Sequence, residues 1–136
     1  MREILFRGKK YEKSVFDDTD WMYGSLIDSG NHDQVFIYPW LNGASTMPVR
    51  QLVYARMETV NPETIGQFTG LFDKNGKRIF EGDIVRSSGG ILWLVAFEKN
   101  SFVCKDNSMR TYFALWEQWE YNWKSKEDIS PSYNFE

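Results

Sequence analysis

Apolar and polar residues alternate in short runs over most of the first 105 positions. Successive side chains of a strand point to opposite faces, so a period of two predicts half-buried strands. Ile4-Leu5-Phe6 is the first such run, lying between Arg2 and Arg7. "DWMYGSLI" (20–27) and "VFIY" (35–38) follow, the latter stopped by Pro39, which has no N–H to donate to a ladder. "NGASTMP" (42–48) reads as a loop. "QLVYARMETV" (51–60) is ambiguous, but Leu52, Tyr54, Arg56 and Glu58 alternate against Val53, Ala55 and Met57, which favours a strand with one covered face.

"NPET" (61–64) carries a helix-start signature, with Asn at the cap, Pro first and Glu next. Gly66 and Thr69-Gly70 follow at once, so it predicts a single turn. "IGQFTGLF" (65–72) and "KRIF" (77–80) flank Asp73-Lys74-Asn75-Gly76, whose residues tolerate the backbone angles of a hairpin turn. Glu81-Gly82-Asp83 then reads as a bend into "DIVRS" (83–87), and "SSGG" (87–90) as another turn. "ILWLVAF" (91–97) is apolar at every position and predicts the most buried strand. Glu98 to Ser101 turns the chain, and Phe102-Val103-Cys104 pairs back. Five short strands with turns about every ten residues predict a small barrel or sandwich.

The pattern changes after residue 110. In "TYFALWEQWEYNWKSK" (111–126), Tyr112, Trp116, Trp119 and Trp123 fall at steps of four, three and four, one face of a helix. A strand with Phe113, Leu115, Trp119 and Tyr121 inward is the alternative, but it places Glu117 on the buried face. The helix is preferred. Its aromatic face predicts core packing or a partner contact, because Trp and Tyr are enriched at interfaces.

Composition sharpens this picture. Phe, Tyr and Trp make up 17% of the 136 residues, and six are Trp. One domain of this length buries roughly 68% of its unfolded surface and needs no disulfide or structural metal. The net charge of −3 and the pI near 5.2 weigh against general nucleic-acid binding. Arg2, Arg7, Lys9, Lys10 and Lys13 crowd the start and predict a solvated strand edge, since Lys discourages edge-to-edge pairing. Cys104 is the one cysteine, so no internal disulfide forms and nothing points to secretion. It sits in an apolar run and reads as a small buried hydrophobe. The first residues lack the apolar core of a signal peptide, and Ile91 to Phe97 is too short to span a membrane. A cytoplasmic protein is expected.

Catalytic and ligand-binding patterns fail residue by residue. Gly70 to Lys77 resembles a phosphate-binding loop, but five residues separate Gly70 from Gly76, and Arg78 stands where a magnesium-binding hydroxyl belongs. Its flanks read strand–turn–strand, not turn–helix. "DKNGKRIFEGD" (73–83) is similar to a calcium loop, but Gly76 comes fourth and Lys77 fifth, where a glycine belongs sixth and an oxygen ligand fifth. His32 is the single histidine, between Asn31 and Asp33 in a loop, and reads as solvated; no serine stands in a nucleophile elbow. With one His and one Cys, a transition-metal site would need mostly carboxylates. Asp17, Asp18, Asp20 and Glu58 are the carboxylates available for acid–base work, with no separation fixed by the sequence. No catalytic residue, cofactor or metal is therefore expected.

"PETIGQFTGLFDKNGKRIFEGDIV" (62–85) closely resembles the central signature of the YopX-like proteins of bacteriophages and prophages. "MREILFRGKK" is similar to that family's opening, Trp21-Met22-Tyr23-Gly24 to its Trp-x-Tyr-Gly step, and "GGILWLVAFEKNSFVCK" (89–105) to its following strands. The resemblance implies a mostly β fold with an SH3-like barrel in the C-terminal part, oligomers in some members, and a phage origin. It implies no catalytic residue. The chain stops at "SYNFE", where the family's closing stretch would begin, and "WEQWEYNWKSK" has no counterpart.

Together these readings predict a single mainly β domain: strands over 1–60, an SH3-like barrel over 64–105, and a helix over 111–126. The expected function is that of a non-enzymatic phage or prophage accessory protein. It would act through protein contacts and be a homo-oligomer, with Tyr112, Trp116, Trp119 and Trp123 as the contact residues. The alternative is a small-barrel nucleic-acid-binding protein, combining basic edges with exposed aromatics. An enzyme using the four carboxylates ranks third.

Overall fold

A computed structural model describes residues 2–11, 20–40, 46–87, 90–106 and 108, together with the backbone of 111–114 and 125–127. The chain is mainly β. It forms two compact units, and it passes from one to the other inside a single strand, between Gln67 and Phe68.

The N-terminal unit holds β1 (Phe6–Lys9), β2 (Trp21–Asp28), β3 (Val35–Pro39), helix α1 (Val49–Arg56) and β4 (Glu58–Val60). The strands run antiparallel in the order β4-β3-β2-β1, and the first residues of β5 (Gly66–Phe72) pair with β1. Phe6 faces Gly24 and Lys9 faces Trp21, while Ser25 faces Tyr38. This register sends Met22, Leu26, Val35, Ile37 and Val60 to one face, where they form the unit's core. The sheet curls back on itself: Lys10 bridges Val60, and Asn61 N–H donates to the Lys9 carbonyl at 2.8 Å.

Two expectations are corrected here. Residues 51–56 are helical, the middle and end of α1, and the strand begins only at Glu58. Leu, Tyr, Ala, Arg and Met all suit a helix, and the apparent period-two pattern had no burial behind it: Leu52 is the one buried residue of α1. Nor do Arg7 and Lys9 lie on an exposed edge; Arg2 is exposed, and Lys13 lies outside the described residues. β1 is paired on both sides, and Arg7 is 5% exposed. The predicted single turn at 61–64 is present as a 3-10 turn, with the Asn61 side chain accepting from Glu63 N–H.

The C-terminal unit contains the rest of β5, β6 (Arg78–Phe80), β7 (Ile84–Arg86), β8 (Leu92–Glu98), β9 (Ser101–Lys105), β10 (Thr111–Ala114) and β11 (Ser125–Glu127). Five strands form one antiparallel sheet in the order β10-β9-β8-β7-β11. Ile79, Val85, Val95 and Cys104 make its core, with Leu71, Trp93 and Phe102 packed against it. The sheet ends in β10 and β11, and no closed barrel is found among the described residues.

The expected helix over 111–126 meets strand at both ends. Thr111–Ala114 pairs with β9 and Ser125–Glu127 with β7. Thr, Tyr and Phe favour strands, and the open ladder of β9 decides for them. Residues 115–124 lie outside the described residues. The expectation for 91–97 also needs revision. β8 is the central strand, but only Val95 is fully buried, and Ile91 and Phe97 are about half exposed.

Candidate functional site

The stretch 69–83 is built from side chains that satisfy the backbone. Asp73 is buried at the base of the β5–β6 turn. Its Oδ1 accepts from Asn75 N–H at 2.8 Å and Lys77 N–H at 2.9 Å, while Gly76 N–H donates to its carbonyl. Gly76 has φ of 77°, the left-handed region that the turn requires. Within β5 the register shifts between Phe68 and Phe72: Phe68 faces Phe80, but Phe72 faces Arg78. Gly70 takes φ of 87° in the resulting bulge, and Thr69 Oγ1 donates to the Ile79 carbonyl at 2.8 Å.

Asp83 is used in the same way. Its Oδ2 accepts from Phe80 N–H at 2.7 Å, and its own N–H donates to the Phe80 carbonyl. Gly82 N–H donates to the Val95 carbonyl and Val95 N–H to the Asp83 carbonyl, each at 2.8 Å. The bend between β6 and β7 is thereby stapled to the centre of β8. In the loop that half-matches phosphate and calcium patterns, Asp73 and Asp83 thus each hold turn backbone.

The remaining candidates do not converge. His32 is exposed in the β2–β3 loop, with Nδ1 against Asp28 Oδ2. The Gly30 N–H bond to the Asp28 carboxylate comes first among the causes that hold its pKa below the ordinary value, with the neighbouring imidazole adding to it. Asp20 is part-buried just before β2, its carbonyl accepting from Lys10 N–H, Glu58 is exposed in β4, and Asp17 and Asp18 lie outside the described residues. Burial pushes the Cys104 thiol up to about 12, which suits a core residue and not a nucleophile. Among the described residues no group of His, Cys, Asp and Glu could hold a metal ion, and no helix is long and apolar enough to cross a membrane. Of the four aromatic contact candidates, Tyr112 stands in β10, so it does not begin a helical face. Trp116, Trp119 and Trp123 lie outside the described residues.

What the sequence reading missed is the outer face of the N-terminal sheet. Arg7 and Lys9 project there with Trp21, the Arg7 guanidinium 4.4 Å and the Lys9 ammonium 5.1 Å from the ring centroid. Tyr23 stands across from Arg7, and Tyr38 across from Ser25. Trp40, just past β3, donates its indole N–H to Ser25 Oγ at 3.0 Å and remains about half exposed. Alternation along β1, β2 and β3 was the available signal, but only the cross-strand register shows that their polar and aromatic positions share a face.

These features define an all-β protein of antiparallel sheets whose buried acids stabilise turns. The model of the YopX protein family matches residues 6–130, and the chain belongs to that family. A search among curated proteins returned no match.

Proposed function

We propose that this is a non-enzymatic accessory protein, encoded by a phage or prophage and working in the bacterial cytoplasm through protein contacts, as a homo-oligomer. Family membership and the phage-protein resemblance of residues 62–85 support the setting. The observation that carries the contact reading is α1. Its Tyr54 is 82% exposed and its Val49 69%, while Leu52 alone is buried. Tyr is enriched at protein contacts, so a helix that presents Tyr54 to solvent is suited to meeting another surface. The aromatic segment containing Trp116, Trp119 and Trp123 is a second contact candidate. The consecutive antiparallel strands β7 to β10 are consistent with an open relative of an SH3-like barrel.

Light scattering on the intact chain tests the oligomer, and the expected mass is at least twice that of one chain. Tyr54→Ser, or Trp116→Ser with Trp119→Ser, should shift the population toward monomer with the circular dichroism unchanged. A monomer at high micromolar concentration would refute self-association.

A further inference from the structure

The outer face of the N-terminal sheet combines three features that nothing in the protein-contact reading uses. Its outward positions on β1 to β4 are Arg7 and Lys9, then Trp21, Tyr23, Ser25 and Ile27, then Phe36 and Tyr38, then Thr59. No carboxylate stands among them. The aromatic rings are held in place: Trp40 by its bond to Ser25, and Trp21 by the two cations above it. Tyr23 is 41% exposed and Trp40 45%.

We propose that this face binds single-stranded nucleic acid, with bases stacked on Tyr23 and Trp40 and phosphate contacted by Lys9. A stacking platform beside cations is what strand binding without sequence preference requires, since every base offers a π-face and every linkage a negative charge. Charge complementarity selects this occupant over an uncharged one: Lys9 is part-exposed on this face and no carboxylate stands among its outward positions, while Arg7, 5% exposed, braces Trp21. At physiological salt, acids elsewhere on the surface count for little, because exposed charges are screened beyond roughly 8 Å. A duplex fits poorly, because its bases are already stacked on one another. The structural role of Ser25 follows: its hydroxyl fixes the Trp40 indole, so the ring does not lose rotamer freedom on binding.

The test is fluorescence anisotropy of a labelled oligothymidine of about twelve nucleotides, within the span of such platforms, titrated with the full chain. Binding is expected at about 20 mM salt and should fall steeply toward about 300 mM, as released counterions require. A matched duplex should bind more weakly. Lys9→Glu and Trp40→Ala should each weaken binding about tenfold, the size of one lost base stack or phosphate contact. Lys74→Glu, which makes the same charge change at the exposed tip of the β5–β6 turn, should leave it unaltered. If Trp40→Ala fails to fold, Tyr23→Ser provides the same readout. No anisotropy change at high micromolar protein overturns the proposal, as does equal affinity for the duplex or a Trp40→Ala variant that binds like the parent. Light scattering on Lys9→Glu gives the remaining outcome. A parent that binds no oligonucleotide but dissociates on this substitution would assign the face to a second copy of the chain.

Discussion

At the scale of single residues, the strictest constraint is Gly24 in β2. A Cβ there would collide with the carbonyl oxygen of Tyr38 on the paired strand, and backbone cannot step aside as a side chain can. Gly24→Ala should therefore cost about 3 kcal/mol or more, the upper range of overpacking, seen as a lowered denaturation midpoint. Asp73 is constrained by its bonds and not by space. Asp73→Ala removes the acceptor for two turn amides and should cost about 1–2 kcal/mol. Asp73→Asn keeps a carbonyl oxygen in place and should cost less, which separates the hydrogen bonds from the charge. Cys104 gives a pH signature. Its folded-state pKa is raised from 9.0 to about 12. Between those values the unfolded chain has lost a proton that the folded chain keeps, so stability is complete below pH 9.0 and falls as pH rises toward 12. Cys104→Ala should remove this part of the alkaline decline, as read from urea midpoints across that window. A thiol reagent at pH 8 should accordingly react with Cys104 only on unfolding.

At the scale of elements, the β8–β9 hairpin is well registered but imperfectly turned. Glu98 faces Ser101, and the two residues between them, Lys99 and Asn100, have φ of 49° and 63°. Two positive values define the primed turn that two-residue hairpins favour, and Asn-Gly is its best sequence. Lys99→Asn with Asn100→Gly should raise stability by about 0.5–1 kcal/mol, measured by thermal melting. Trp93 tests how β8 is covered. It is half buried and packs on Ile79, Val85, Val95 and Cys104, so Trp93→Ala should cost about 2–3 kcal/mol, less than the ~3–5 of a fully buried aromatic. The hairpin at 73–76 was legible because its turn chemistry is local. Helix α1 was not, because Val, Tyr and Leu fit either element and their alternation had no burial behind it, Leu52 alone being buried. The strand at Thr111–Ala114 was missed for a related reason: helical spacing of aromatics is visible in a sequence, and the unfilled side of β9 is not.

At the scale of the whole molecule, self-association would link stability to concentration. The melting temperature of the 16.1 kDa chain should rise as protein concentration is raised if folded chains associate and unfolded ones do not. A constant value over two decades of concentration would leave Tyr54 and Val49 as ordinary surface residues. By itself the sequence determined the β class, the hairpin at Asp73 to Gly76, the bend at Gly82 and the buried state of Cys104. Each follows from backbone angles or side-chain chemistry within a few residues. Only the tertiary structure decided that β1 is an interior strand that buries Arg7, that the C-terminal strands take the order β10-β9-β8-β7-β11, and that Lys9, Trp21, Tyr23 and Tyr38 share a face. Those outcomes depend on strand order and register, set by contacts between segments far apart in the chain, and no periodicity within one segment encodes them.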